Sequence, residues 1–302
     1  MNQTLARTRS RASAAGYHLS WAVAQRLPER VVDPLLRQAA DRTTRLGGPG
    51  VRRLQLNLAR AAGTDDPAEI EDLTRAAMRS YLRYWGEVFR LPRWSAADVR
   101  ARVRTEDEHR LRAAYASGRG VVAALPHMGN WDLAGAWACA EQMPLMTVAE
   151  RLRPAPVYDE FVRFREGLGM TVLPMTGGSP PLPVLRTYLE GGGLVCLLAD
   201  RALASSGAEV ELLGETAKMA VGPAFLAQQT GATLLPVTTA YAGEAMRIRF
   251  FEPVEHRPGT DGARAMTQTV ADAFATAIAD DPVDWHMLQR VFVRDFDAAR
   301  RR

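Results

Sequence analysis

Lysine is almost absent from this 302-residue chain: Lys218 stands alone beside 37 arginines. The bias is consistent with a GC-rich genome, and physical chemistry alone does not require it. Cysteine is nearly as scarce. Cys139 and Cys196 each sit inside an apolar run (LAGAWACA and GGLVCLLAD), where a lone pair reads as buried thiols in a reducing compartment, not as a disulfide framework. No apolar run approaches the roughly 18 residues needed to span a bilayer. The N-terminus also lacks the continuous apolar stretch and cleavage site of a secretory signal, so the expectation is a protein that stays in the cytoplasm. With 47% hydrophobic and 24% charged residues, disordered and fibrous classes are excluded.

Several catalytic signatures are missing too. The five histidines, at 18, 109, 127, 256 and 286, show no ligand spacing such as His-Glu-x-x-His, and no metal site is expected. There is no Gly-x-Ser-x-Gly, and Ser179 precedes two prolines instead of opening a helix, which argues against a nucleophilic serine. Neither cysteine follows a strand end in an electropositive turn. No Gly-x-Gly-x-x-Gly or Walker sequence appears, so no nucleotide cofactor is expected.

What is present is unevenly distributed. The formal net charge is +4, but residues 1 to 60 hold eleven Arg against Glu29, Asp33 and Asp41. That basic head of +8 leaves −4 for the remaining 242 residues. Within it, Tyr17, Leu19, Trp21, Val23 and Leu27 interleave with Arg26, Arg30 and Arg37. Two readings stay open: helices docked on the core with arginines in water, or a basic amphipathic surface lying on anionic lipid. Nucleic acid is not an expected partner, because no helix-turn-helix, zinc-finger or RNP-type signature accompanies the arginines. Pro28, Pro34 and the break Gly47-Gly48-Pro49-Gly50 are expected to interrupt these helices.

A well-signalled helix follows: Asp66 as N-cap, Pro67 in first position, Glu69 three after the cap, then Ile70, Leu73, Ala77, Tyr81, Trp85 and Val88 at helical spacing. Helices are expected at about 95 to 103 and 106 to 117. From Gly120 onward short apolar runs at 121 to 125, 145 to 149, 170 to 174, 194 to 199 and 234 to 241 alternate with helical stretches at about 130 to 142, 156 to 168, 181 to 190 and 220 to 230. The segments 210 to 214 and 246 to 254 read as added strands, and helices near 262 to 280 and 283 to 293 close the chain. This order predicts an α/β fold with a mostly parallel central sheet flanked by helices on both faces, and a helical N-terminal extension. The chain reads as a single domain, 1 to 302, with residues 1 to 60 as the extension and 61 to 302 as the catalytic body.

In such sheets ligands bind beyond the carboxyl ends of the strands. The run 121 to 125 ends in Pro126-His127-Met128-Gly129-Asn130-Trp131-Asp132. Asn130 is placed to cap the next helix, and His127 to sit in the turn at the mouth of the sheet. Asp132, in the first helical turn, has the reach to fold back onto one ring nitrogen, leaving the other to take a proton as a general base.

His127 to Asp132 resembles the His-x4-Asp motif of glycerolipid and lipid A type acyltransferases, and the wider chain resembles the bacterial lipid A acyltransferase family over nearly its whole length. The stretches RRLQLNLARA (52 to 61), YLRYWGEVFRLP (81 to 92), LLADRA (197 to 202) and GPAFLAQQTGATLLPV (222 to 237) carry the likeness. DWHMLQRVF at 284 to 292, Asp132 where many lipid A enzymes have Glu, and the missing N-terminal span make the actinobacterial branch, which acylates phosphatidylinositol mannosides, the nearer match.

The resemblance implies transfer of a fatty acyl group from acyl-CoA to a mannose hydroxyl of a mannosylated phosphatidylinositol lipid, by a peripheral enzyme on the cytoplasmic face of the plasma membrane. His127 becomes the base. Asp132 and Asp200 are both candidates for the carboxylate that orients it. Arg165 and Arg201 suit lipid phosphate through their planar forks, and Glu150 suits sugar hydroxyls. The turn at Gly129 and Asn130 is the candidate source of oxyanion donors. Trp131, Leu133, Trp137 and the helix that begins at Pro67 are candidate walls for an acyl groove. The competing readings are an acyl-CoA hydrolase using the same histidine, and a non-enzymatic peripheral lipid carrier.

Overall fold

The computed structural model describes residues 28–150, 155–176, 180–202 and 207–300, the side chains of 155–157 and 297–300 excepted. The apolar positions from Tyr17 to Leu27 therefore lie outside the described residues.

Among the described residues three long helices come first: α1 (Glu29–Leu46), α2 (Pro49–Ala62) and α3 (Pro67–Arg90). The last is capped as the sequence predicts, with the Asp66 carboxylate accepting from the Ala68 backbone N–H at 3.0 Å. The break between α1 and α2 falls at Gly47, which adopts a positive φ of 58°. Pro34, expected to interrupt α1, lies inside it. A proline in the second turn removes one backbone hydrogen bond, and tertiary ties offset that cost: Asp33 and Asp41 of α1 pair with Arg90 and Arg79 of α3, each at 2.7 Å.

The body then alternates. In chain order it runs through α4 (Ala96–Ala101), β1 (Val103–Glu106), α5 (Glu108–Ala116), β2 (Val121–Leu125), α6 (Trp131–Ala140), β3 (Leu145–Ala149), α7 (Ala155–Gly167), β4 (Thr171–Pro174) and α8 (Pro181–Glu190). It continues through β5 (Leu194–Leu198), β6 (Ala208–Leu212), β7 (Glu215–Met219), α9 (Gly222–Thr230), β8 (Thr233–Ala242), β9 (Ala245–Phe250), α10 (Gly259–Asp280) and α11 (Val293–Arg300). Among the described residues, seven strands form one sheet in the order β1-β9-β8-β2-β5-β3-β4. The five from β8 to β4 run parallel; β9 is antiparallel to β8 and carries β1 parallel to itself.

Burial follows from the two-residue period of a strand. Along β2, Val122 and Ala124 enter the core beneath α8, α9 and α10, while Val121, Ala123 and Leu125 enter the core beneath α3, α6 and α7. Every residue of β2 is buried, as a central parallel strand requires. This places the carboxyl ends of β2 and β5 side by side.

Two sequence expectations give way. Helices expected at 95 to 103 and 106 to 117 are shorter and separated by β1, which tertiary pairing with β9 extracts from a weakly periodic stretch. The helix expected at 283 to 293 is instead a 3-10 turn at Pro282–Asp284 followed by extended chain, with helix only from Val293. Its backbone is taken by distant partners: Trp285 bridges Met128, Phe292 bridges Ala217, and the Lys218 N–H donates to Val291 O at 2.9 Å. The strand β7, which forms a hairpin with β6, had no separate sequence signal.

Candidate active site

The site grows from the turn between β2 and α6. Gly129 holds φ +55°, and a Cβ there would lie 2.6 Å from the Thr239 carbonyl oxygen, so both conformation and space demand glycine. Asn130 is fully buried and caps α6: its Oδ1 accepts from the Leu133 N–H at 2.9 Å, and its amide donates to Glu87 on α3 at 2.8 Å. Glu87 also takes hydrogen bonds from Tyr241 and Arg83. The turn is thereby tied to α3 and β8.

That geometry leaves His127 at the carboxyl end of β2, facing Asp200 at the end of β5. Its Nδ1 lies 2.6 Å from Asp200 Oδ1, and its own backbone N–H donates to Oδ2 at 2.8 Å. The Trp285 indole N–H donates to Oδ2 at 3.0 Å. Asp200 is fully buried. Burial would raise its pKa, but the pairing with His127 and the Trp285 and backbone donors outweigh it and hold the carboxyl below its ordinary value. An ionised Asp200 only accepts, so the Nδ1 of His127 carries the proton and Nε2 of the neutral ring is bare. The His127 side chain keeps 22% of its surface exposed, enough for a reactant to reach that nitrogen.

Asp132 is oriented elsewhere. Its carboxylate takes a fork from Arg165 at 2.6 and 3.2 Å and the Tyr84 hydroxyl at 2.9 Å. The expectation of Asp132 as a candidate to hold the His127 ring is corrected: Asp132 is 2% exposed and both its oxygens are occupied. Arg165 changes with it. Its Nε and Nη2 are engaged by Asp132, so the fork that would grip a phosphate is already filled. Burial opposes its charge, yet Asp132 raises its pKa. Removing one partner of such a buried pair costs about 3–5 kcal/mol.

The other expected residues divide. Arg201 and Glu150 meet at the rim, 3.7 Å apart, at the ends of β5 and β3. Trp131 stands with its ring 5.6 Å from the His127 ring and 4.2 Å from Tyr84. The Gly129 N–H, a candidate oxyanion donor, is bound to Asp284 O at 2.9 Å, and the Asn130 side-chain amide gives one of its two donors to Glu87.

Beside this mouth lies an apolar cavity between α6 and the sheet. Trp131, Asp132, Arg165, Trp137, Leu111 and Phe250 are among its lining residues. Along β5 it passes Leu198, Cys196 and Leu194, roughly 13 Å at the ~3.3 Å rise of a strand. Leu133 and α3 do not line it. The cysteines are free thiols, and burial pushes Cys196 up to about 12.

Sequence reasoning missed the groups that hold this site from behind. Ser80 on α3 donates to Asp284 Oδ1 at 2.5 Å and meets His286 Nε2 at 2.9 Å. Its one hydroxyl proton goes to the carboxylate, so His286 donates to it from Nε2. The His286 Nδ1 is left buried without a hydrogen-bond partner, and burial, with His127 nearby, pulls the pKa of this ring down to about 3. The segment DWHMLQRVF was notable in the sequence only as part of a family likeness.

Residues 4–294 match the profile of the family described as bacterial lipid A biosynthesis acyltransferase. The chain is 42% identical over 288 residues to the phosphatidylinositol mannoside acyltransferase of Mycolicibacterium smegmatis, covering 95% of this chain and 93% of that protein. A protein of the same name from Mycobacterium tuberculosis is 41% identical over 291 residues, covering 94% and 90%.

The His286 environment makes stability depend on pH. The folded ring takes a proton only near pH 3, the unfolded one near 6.5. Between those values the unfolded chain binds more protons, so stability is lost as pH falls, by up to ~1.4 kcal/mol per pH unit from this residue. Urea unfolding of His286→Gln between about pH 6 and pH 4 is expected to show a flatter slope than the parent; an unchanged slope contradicts the assignment.

Proposed function

Since the chain belongs to the bacterial lipid A biosynthesis acyltransferase family and is an acyltransferase, we propose that it moves a long-chain acyl group from acyl-CoA to a mannose hydroxyl of a phosphatidylinositol mannoside. The observation that carries this reading is the His127–Asp200 pair, with Trp131, a lining residue of the α6 cavity, 5.6 Å from the His127 ring. The bare Nε2 takes the proton of the mannose hydroxyl as its oxygen attacks the thioester carbonyl. A new ester C–O bond forms and the C–S bond breaks. The departing thiolate takes the proton back from the imidazolium, which Asp200 has stabilised meanwhile. No acyl-enzyme is needed.

The cavity is apolar, as an acyl chain requires. Arg201 and Glu150 at the rim are the proposed contacts for lipid phosphate and sugar hydroxyls. The closely similar relatives, named for acylation of phosphatidylinositol mannosides, support that acceptor.

The same reading makes the protein peripheral to the cytoplasmic face of the plasma membrane. No helix among the described residues is long and apolar enough to cross a membrane. On α1 and α2 the exposed Val31, Leu35, Leu46 and Leu56 lie among exposed Arg37, Arg42, Arg45 and Arg52, a mixture suited to anionic lipid.

His127→Ala is expected to lower acyl transfer by about 10²–10⁴-fold while leaving vesicle binding intact, measured as thiol release with and without the mannolipid acceptor. Transfer at the parental rate would remove His127 from the mechanism, and release indifferent to acceptor would mark a hydrolase. Binding to vesicles containing phosphatidylinositol is expected to weaken as salt rises from about 0.1 M to 1 M, where the screening length falls from ~10 to ~3 Å. Binding indifferent to salt contradicts electrostatic attachment.

A further inference from the structure

The segment from Asp284 to Gln289 touches the catalytic pair on one side and the N-terminal helices on the other. On the inner side, Asp284 O accepts from the Gly129 N–H at 2.9 Å, the His286 N–H donates to His127 O at 2.8 Å, and Trp285 Nε1 donates to Asp200 Oδ2 at 3.0 Å. One short run of chain thus grips the turn that carries His127 at two points and the carboxylate that orients it at a third. On the outer side, Ser80 of α3 holds Asp284 and His286. Asn57 of α2, fully buried, donates through one amide nitrogen to Met287 O at 2.7 Å and to Gln289 O at 3.0 Å. Leu288 between them packs on the α2 core.

We propose that residues 284–289 are a strap that positions the His127–Asp200 pair, and that Asn57 on α2 is the remote positioning residue that fixes where the strap lies. This rests on the reading of His127 as the base. Extended chain outside a sheet has no ladder of its own, so its position is set by the few groups that bind it. Asn57 supplies both of its donors to carbonyls on either side of Leu288, which pins the strap along its length as well as its height. A displacement of an ångström at the strap is passed to His127 through a backbone bond and to Asp200 through an indole. Misplacements of that size are enough to cost catalysis heavily even when they begin far from the chemistry.

The test compares three variants. Asn57→Leu removes both donors while keeping the branched shape of the side chain; Trp285→Phe removes the indole N–H and leaves a smaller aromatic ring; Val99→Ala empties a buried site on α4, in a cluster that holds no residue of the strap. Thermal unfolding, kcat and KM are measured with acyl-CoA and mannolipid, and the low-field Nδ1–H proton resonance of His127, assigned by its loss in His127→Ala, is recorded without substrate. Asn57→Leu and Trp285→Phe are expected to lower kcat about tenfold or more with KM little changed, and to shift or broaden that resonance. Val99→Ala is expected to lower the melting temperature and do neither. If Asn57→Leu keeps kcat and the resonance, or if Val99→Ala matches it in both, the strap is not a positioning device. Should Asn57→Leu fail to fold, Trp285→Phe decides by the same criteria. Should the parent transfer no acyl group, the functional reading falls, and the resonance still decides whether the strap orients the pair.

Discussion

A single buried carboxylate organises this molecule's chemistry. Asp200 sits at the end of β5 with no exposure to water, a placement that is unfavourable for a charge unless donors surround it. Three do: the His127 ring, the His127 backbone N–H and the Trp285 indole. Each comes from a different structural commitment. The ring and backbone require the β2–α6 turn to present His127 at the sheet's edge, and the indole requires the chain after α10 to return across the site. Remove the parallel pairing of β2 with β5 and the carboxylate would face apolar core.

Around that centre the polar groups form two separate systems. Asp200 works with His127; Asp132, five residues on from His127, works with Arg165 and Tyr84. Because Tyr84 stacks on Trp131, and Trp131 stands edge-on to His127, the second system fixes the wall of the site without sharing its proton. The neutral His286 lies behind both. Burial and the nearby His127 keep its pKa low, so it adds no second positive charge beside His127 and Asp200.

The fold class, the positions of β2, β3, β5 and β8, and the capped α3 were legible because strands covered on both faces are continuous apolar runs and helix starts are chemically marked. His127 and Asp200 were legible as polar residues just past strand ends. The choice between Asp132 and Asp200 was not, because Asp132 is close to the histidine in sequence while Asp200 stands past a neighbouring strand end, and the choice depends on where Arg165 of α7 arrives. Likewise the extended path after Pro282 is dictated by Met128, Ala217 and Asn57, residues far away in sequence, so local periodicity misread it as helix. Asn57 also blurs the expected boundary at residue 60. That boundary falls inside α2, whose Val51, Leu54, Asn57 and Leu58 are buried and whose amide reaches the strap beside the catalytic turn.

The central claim is that the α6 cavity and the His127–Asp200 pair are one site, in which an acyl chain lies along β5 with its carbonyl beside the bare imidazole nitrogen. A crystal structure of the protein with a non-hydrolysable long-chain acyl-CoA analogue tests this most directly. The chain should run past Leu198 and Cys196 toward Trp137 and Phe250, with the carbonyl carbon adjacent to His127 Nε2. An acyl chain bound outside this cavity, or a carbonyl out of reach of His127 while the chain fills it, would contradict the account.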